Sequence, residues 1–286
     1  MNKSNETKSV LYITLSGFFF GLLGYFGLSL THEKLSVYNM IFWRFFVSTL
    51  IMGIIFFPQL KKQFSSYSKM VILFFHGLLF YGPATLIYFF AAQKIGSGLA
   101  MVIFFTYPSM VMLLNFLIYR QKASKTYLIA IFMIFLGLLF LVKGSPFEFN
   151  VMGITLSIVS AIIYAIYIIV GKKSTSYALI STFMVCLGST IAGLVGVLMS
   201  NTFFIPTGVN VWMLLAGISI ICTILPTLFL LKGLEHISSL KASILSVLEP
   251  VFLVVFGIVL LNEYINAMQF LGIIILLSGA LLTVIV

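Results

Sequence analysis

The sequence contains no aspartate, and glutamate supplies all six of its acidic residues. This argues against membrane enzymes that hold metal ions through aspartate-rich motifs. Only two cysteines and three histidines are present, without a short ligand spacing between them, so neither a metal nor a cofactor is predicted. Both cysteines lie in apolar runs, where we interpret them as small packing residues.

Charged residues are also scarce: they make up 8% of the 286 residues, whereas 62% are hydrophobic and the mean hydropathy is +1.21. A soluble domain carries roughly 25% charged residues, so the composition predicts an all-α integral membrane protein. A membrane helix needs ~20 apolar residues, and the chain has room for about ten. The predicted spans are 9–30, 36–57, 69–92, 97–119, 126–142, 151–171, 177–200, 210–231, 238–261 and 267–286.

The basic residues are distributed unevenly between the predicted loops. With the N-terminus in the cytoplasm, twelve lysines and arginines fall on the cytoplasmic side and only Lys34, Lys94 and Lys143 on the other. Cytoplasmic loops of membrane proteins carry an excess of lysine and arginine, so both termini are predicted to be cytoplasmic. The formal charge of +10 is then a topology signal, and no nucleic-acid partner is predicted.

The two halves of the chain resemble each other at an offset close to half the chain length: KIGSGLA and FFTYPSMVMLL align with HISSLKA and SVLEPVFLVVF, so that Pro108 falls on Pro250. The predicted repeats are residues 1–142 and 150–286, joined by a linker at 143–149. Because five spans is an odd number, the second repeat is predicted to be inverted relative to the first. Inverted repeats are typical of secondary transporters, whose binding site lies at the repeat interface.

Four prolines interrupt the apolar runs at matching places in the two halves: Pro83, Pro108, Pro226 and Pro250. A proline within a helix lacks the amide donor and frees the carbonyl four residues earlier, which in lipid needs a partner or a cavity. The pattern therefore predicts helix breaks that are either packed kinks or parts of a binding site.

Glu249 lies directly before Pro250, and at about eleven residues into its predicted span it is close to the middle of the membrane. A carboxylate at that depth is costly unless it is protonated, paired or hydrated. We interpret Glu249 either as a proton carrier or partner of a cationic substrate group, or as a structural carboxyl group between helices.

Two other ionisable residues lie inside predicted spans. For Arg44 three roles are open: binding a substrate carboxylate, pairing with Glu249, or reaching the outer interface beside Trp43. His76 is either a titratable group of the site or a packing residue. The remaining candidate cavity residues are hydroxyl-bearing residues in or near the broken spans: Tyr81, Tyr88, Tyr107, Tyr164, Tyr167 and Ser246.

Two long segments resemble the halves of the EamA-type members of the drug/metabolite transporter superfamily: YFFAAQKIGSGLAMVIFFTYP and FLLKGLEHISSLKASILSVLEPVFLVVFGIVLLNEYINAMQFLGIIILLSGALL. The family signature is a mid-helix proline, a glutamate after that helix and a Gln-x-x-Gly at the start of the last helix. This chain has Glu249–Pro250, Glu263 and Gln269–Gly272 at those places. It departs from the family at Gln121, where the first repeat often carries glutamate.

The resemblance implies a ten-helix carrier that moves small metabolites such as amino acids, or drugs, across the bacterial inner membrane by alternating access. Export is the favoured direction, protons are one candidate coupling ion, and a monomer is predicted. The alternatives are an importer of nucleotide- or cofactor-like metabolites and a flippase for a lipid-linked carrier. An integral membrane enzyme is disfavoured because the glutamates are scattered, and a channel because no charged ring or filter motif repeats.

Overall fold

The computed structural model describes residues 3–63, 67–120, 124–142, 149–172, 178–261, 264 and 266–285. All regular structure in this part of the chain is helical. Its long helical segments are α1 (Lys3–Gly21 and Leu23–His32), α2 (Val37–Ile55), α3 (Tyr67–Ile95), α4 (Ser97–Tyr119), α5 (Lys125–Leu141), α6 (Val151–Lys172), α7 (Ala178–Met199), α8 (Val209–Gly233), α9 (Ser239–Leu261) and α10 (Ala267–Ile285). A short helix, Phe57–Gln63, lies between α2 and α3.

Eight of these segments are long and apolar enough to cross a membrane. The apolar stretches described for α5 and α10, Lys125–Leu141 and Ala267–Leu282, are shorter. The all-helical membrane class is therefore confirmed, whereas ten membrane crossings stay a prediction. The helix ends agree with the predicted spans within a few residues, except that α1 begins earlier, at Lys3. The predicted linker at 143–149 lies outside the described residues apart from Phe149.

Small polar residues and glycine set the start of several helices. The side chains of Ser36, Ser124 and Ser238 each accept a hydrogen bond from a backbone amide in the first turn of α2, α5 and α9. Such a cap satisfies an amide that the first helical turn leaves unpaired. α4 begins after Gly96, whose φ of 83° lies in the region that favours glycine.

Prolines divide four of the segments at matching places. In α3 and α8 a π-helical turn, Gly77–Tyr81 and Ile220–Ile224, precedes Pro83 and Pro226. In α4 and α9 the helix is interrupted at 105–106 and 247–248, just before Pro108 and Pro250. Each feature of the first half thus recurs at the corresponding place in the second half. The helix widens or breaks at these places because proline cannot donate a backbone hydrogen bond.

Helices of the first half pack against helices of the second half. α1 contacts α8 and α9, α2 contacts α7 and α8, α3 contacts α6 and α7, α4 contacts α6 and α9, and α5 contacts α10. At the α5–α10 crossing, a Cβ on Gly137 would lie 2.8 Å from the Gly272 carbonyl oxygen, and one on Gly279 would lie 3.0 Å from that of Ala130. In the aligned repeats Gly279 corresponds to Gly137 and Ala130 to Gly272, so this crossing has internal twofold symmetry.

Candidate functional site

A cavity of about 660 Å³, counting its open mouth, lies between the two halves of the molecule. Its walls come from α1, α2, α3, α4, α6 and α9, and most of the lining is aromatic or aliphatic. The polar lining residues are Arg44, Tyr81, Thr85, Tyr88, Tyr164 and Glu249. Ligand pockets typically combine apolar walls with a few polar groups. The cavity therefore has the lining of a small-molecule site.

Glu249 is the acidic residue of the cavity wall. It starts the second half of α9, directly after the break, where the positive end of the helix dipole favours a carboxylate. Gly17 allows α1 to approach closely, since a Cβ there would lie 3.4 Å from the backbone nitrogen of Glu249. Among the described residues, no basic group lies within 4.0 Å of the carboxylate. It is therefore available to a proton or to a cationic group in the cavity.

Arg44 is 2% exposed and stabilises the π turn of α8. Its Nε donates to Oγ1 of Thr223 at 2.6 Å and its Nη2 donates to the carbonyl of Cys222 at 2.8 Å. In an α-helix that carbonyl would accept from residue 226, but Pro226 has no amide donor. Of the three roles left open for Arg44, a position at the outer interface does not fit a side chain that is 2% exposed. Pairing with Glu249 does not fit either, because no contact within 4.0 Å joins these two described residues.

Three of the predicted tyrosines, Tyr81, Tyr88 and Tyr164, line the cavity, and the Tyr81 hydroxyl also accepts a hydrogen bond from Thr227 of α8 at 3.5 Å. The ring centroids of Tyr81 and Tyr164 lie 6.4 Å apart, and that of Tyr88 lies 5.1 Å from Phe104. Phenol hydroxyls exchange hydrogen bonds with polar groups, and aromatic faces attract cations and apolar surfaces. The wall suits a solute that has both a polar and an apolar part.

Four predicted residues lie outside the cavity wall. Tyr107 is buried in the α4 break, and its hydroxyl donates to the Ser243 carbonyl of α9 at 3.2 Å. The Ser246 hydroxyl donates to a carbonyl one turn earlier in α9. His76 lies directly before the π turn of α3. The hydroxyl of Tyr167 is buried without a hydrogen-bond partner among the described residues. None of these four residues therefore lines the cavity.

An ion pair joins α1 and α9 near the ends where these helices begin. Lys241, in the first half of α9, is 5% exposed, and its Nζ lies 2.8 Å from Oε1 of Glu6 on α1. Nearby, Asn115 of α4 donates to the hydroxyl of Ser239 at 3.1 Å. Lys241 was counted above as a topology charge, but it is a buried helical residue. The lining residues of α1 and α9 lie further along these helices, so the cavity lies beyond this ion pair.

Sequence reasoning did not single out the apolar part of the wall or Thr85. The apolar lining residues are Phe20, Leu23, Phe89, Met101, Phe104, Phe105 and Leu253. They lie in segments that are hydrophobic on every face, so no periodicity separates the cavity-facing positions from the lipid-facing ones. Proximity to the predicted helix breaks is the signal that could have found Phe104 and Phe105, because both directly precede the Pro108 turn.

Comparison with known proteins confirms the resemblance to EamA-type transporters that the sequence shows. The model of the EamA-like transporter family matches residues 7–143 and 151–285, one match in each half of the chain. An uncharacterized transporter, YxxF of Bacillus subtilis (strain 168), is 22% identical over 290 residues, which cover 100% of this chain and 92% of that relative. A crystal structure of a protein with 14% sequence identity superposes with a TM-score of 0.78 over 96% of each chain, which shows a shared fold. The chain therefore belongs to the EamA-like transporter family of multi-pass membrane transporters.

Proposed function

We propose that this transporter is a secondary carrier that exports small metabolites, with amino acids and related compounds or drugs as cargo, across the bacterial inner membrane. One observation carries the proposal. The cavity between the two halves contains Glu249, whose carboxylate has no ion-pair partner among the described residues, and an ion pair joins α1 and α9 towards one end of it. A contact that can close one end and a protonatable group are what a carrier needs for alternating access coupled to protons.

The proposed architecture is ten membrane crossings in two inverted five-helix repeats, residues 1–142 and 150–286, with both termini in the cytoplasm. The recurrence of the π turns and breaks at corresponding places in the two halves supports this architecture. The helix contacts support it as well, because they form reciprocal pairs: α1 with α8 corresponds to α6 with α3, and α2 with α8 corresponds to α7 with α3. Inverted repeats related by a twofold axis in the membrane plane produce this pairing.

In this orientation the Glu6–Lys241 end of the cavity faces the cytoplasm and the open mouth faces the outside. Transport then requires a second state in which Glu6 and Lys241 separate and the opposite end closes. Because one cargo site is exposed to each side in turn, the cavity needs no continuous pore.

The lining favours a cargo with an apolar part and an ammonium group, as many amino acids and amines have. Glu249 would pair with the ammonium group, and the aromatic side chains would contact the apolar part. Arg44 already donates two hydrogen bonds to α8, which weakens the case for a polyanionic nucleotide as cargo. For this reason we favour amino-acid-like compounds over the importer alternative.

Reconstitution into liposomes tests the proposal. We expect saturable accumulation of labelled amino acids or amines that is driven by an imposed pH gradient. The Glu249→Gln variant should lose gradient-driven accumulation, because an amide carries no exchangeable carboxyl proton, and should retain exchange of the same substrate only at higher substrate concentrations, because the ammonium group loses its charged partner. Glu33→Gln is the matched control, since Glu33 is exposed in the turn between α1 and α2, and it should behave as the wild type.

Equal, gradient-independent flux in the wild type and in Glu249→Gln would contradict proton coupling through Glu249 and leave a facilitator. Absence of flux for every compound in the panel would contradict the proposed cargo. A flippase for a lipid-linked carrier is then the second candidate, favoured by a second opening that residues of α4 and α5 line, and a lipid-scrambling assay in the same liposomes would test it.

A further inference from the structure

A second opening lies on the side of the α4 break that faces α5. This lateral groove measures about 600 Å³, counting its open mouth. α4 contributes Phe105, Thr106 and Pro108, and α5 contributes Leu128, Phe132 and Phe135 among others. The groove exists because α4 is interrupted at 105–106, so no regular turn fills the space beside α5.

The lateral groove faces the bilayer at the depth of the acyl chains. Leu128, Phe132 and Phe135 are 49%, 66% and 41% exposed on the protein itself, so their outer surfaces meet lipid. Phe105 is the ninth residue of the 23-residue α4 and Phe132 the eighth residue of the 17-residue α5. At 1.5 Å per residue, both lie ~10–12 Å from the helix starts, which is deep in the ~30 Å hydrocarbon layer.

The hydroxyl-bearing residues of the groove lining are Thr106 and Ser109. The hydroxyl of Thr106 donates to the Ile103 carbonyl at 2.7 Å, and the backbone amide of Thr106 donates to the same oxygen at 3.1 Å. Pro108 has no amide hydrogen to leave unpaired. The lining is otherwise mainly hydrocarbon, so an aliphatic chain satisfies the groove better than a polar solute does.

Phe105 is the partition between this groove and the transport cavity, because its side chain lines both. It is 5% exposed and packs against the rings of Phe104 and Tyr107, with centroid distances of 5.4 and 5.9 Å. Phe105 is therefore the lining residue that the groove and the cavity share.

We propose that the lateral groove binds one acyl chain of a bilayer lipid, and that Phe105 keeps this chain out of the transport cavity. The first half of the proposal follows from the position and lining of the groove alone. The second half rests on the proposed function of the cavity as a cargo site, because an acyl chain that entered it would compete with the apolar part of the cargo.

Quenching of tryptophan fluorescence by brominated lipids tests occupancy of the groove without any substrate. Trp43 and Trp212 are replaced by phenylalanine, and a single reporter is introduced as Phe105→Trp, in vesicles of phosphatidylcholine brominated in the middle of its acyl chains. Phe45→Trp is the matched control, because Phe45 is 0% exposed and is also the ninth residue of its helix. We expect loss of most of the fluorescence at residue 105 and little loss at residue 45. Equal quenching at both positions would overturn the proposed lipid site.

A single tryptophan on the opposite wall of the transport cavity tests whether Phe105 keeps acyl chains out of that cavity. Phe20→Trp lies on the α1 wall and should show little quenching while Phe105 is present. Adding Phe105→Ala should increase its quenching strongly, and Phe105→Leu, a milder change, should give an intermediate value. Phe132→Ala widens only the outer rim of the groove and should leave the reporter unchanged. Quenching at residue 20 that is unaffected by both Phe105 variants, in protein that stays monodisperse, would overturn the partition role while leaving the transport proposal intact.

Discussion

The ion pair between Glu6 and Lys241 predicts an asymmetry in stability. The two side chains share one contact of 2.8 Å, but that of Lys241 is 6% exposed and that of Glu6 is 33% exposed. The Glu6→Gln variant leaves a buried ammonium group without its carboxylate. The Lys241→Met variant leaves a carboxylate that solvent reaches, and the methionine fills the space of the lysine stem. We therefore expect Glu6→Gln to lower the free energy of unfolding more than Lys241→Met does.

The exposed fractions of the two side chains determine how far the free energies of unfolding of the two variants should differ. Removing one partner of a fully buried pair costs about 3–5 kcal/mol, whereas an exposed pair contributes at most about 1 kcal/mol. Since a third of the Glu6 side chain is exposed, Glu6→Gln falls between these limits, and we expect about 2 kcal/mol, against about 1 kcal/mol for Lys241→Met. The double variant has no buried charge left, so it should be about as stable as Lys241→Met alone.

Reversible unfolding in mixed micelles of maltoside and dodecyl sulfate, followed by tryptophan fluorescence, measures these free energies. Glu235→Gln is the control: its side chain is 48% exposed, and its change should stay within about 0.5 kcal/mol. Equal losses in the two single variants, or a double variant as unstable as Glu6→Gln, would refute the reasoning that the buried ammonium group determines the cost.

Two further variants probe other contacts in the same unfolding assay. Arg44→Gln should lower the free energy of unfolding by about 2–3 kcal/mol, because the charge-assisted hydrogen bonds to α8 are lost. Arg44→Lys should restore only part of this stability, because lysine cannot present two donors in the fixed geometry of a guanidinium group. Full stability in Arg44→Lys would contradict this explanation. Gly137→Ala should lower the free energy of unfolding by about 1–3 kcal/mol, because the added Cβ clashes with the Gly272 carbonyl. Gly27→Ala is the control and should be neutral or slightly stabilising, because a Cβ there meets nothing within 4 Å. Equal effects of the two variants would argue against tight packing between α5 and α10.

The positions of the helices were predictable, because each long apolar run between charged or turn residues became a helical segment. The breaks were predictable as well, since the missing amide of a proline has the same effect in both halves. Pro226 illustrates this, because the carbonyl that it leaves free, that of Cys222, accepts a hydrogen bond from Arg44. Which residue would donate that bond could not be predicted, since Arg44 lies 178 positions earlier in the chain.

The candidate site was predictable only in part. Glu249 was found because a carboxyl group beside a proline in an apolar run is rare, and the structure places it in the cavity wall. Tyr107 and Tyr167 fit the same sequence criteria as Tyr81, but they pack behind the wall, because the rotation of each helix about its axis decides which tyrosines reach the cavity. That rotation is set by contacts with the other half of the chain, which hydropathy does not encode.

The contacts of α1 also bear on how the protein is made. The hydroxyl of Ser16 donates to the carbonyl of Pro226 at 2.8 Å across 210 positions of sequence. At a synthesis rate of about 5–20 residues per second, the ribosome needs roughly 10–40 s to reach that partner. A first helix that enters the bilayer within this interval does so with a serine and a glutamate that lack their final partners. We therefore expect the first helix to complete its packing only after α8 and α9 have been inserted.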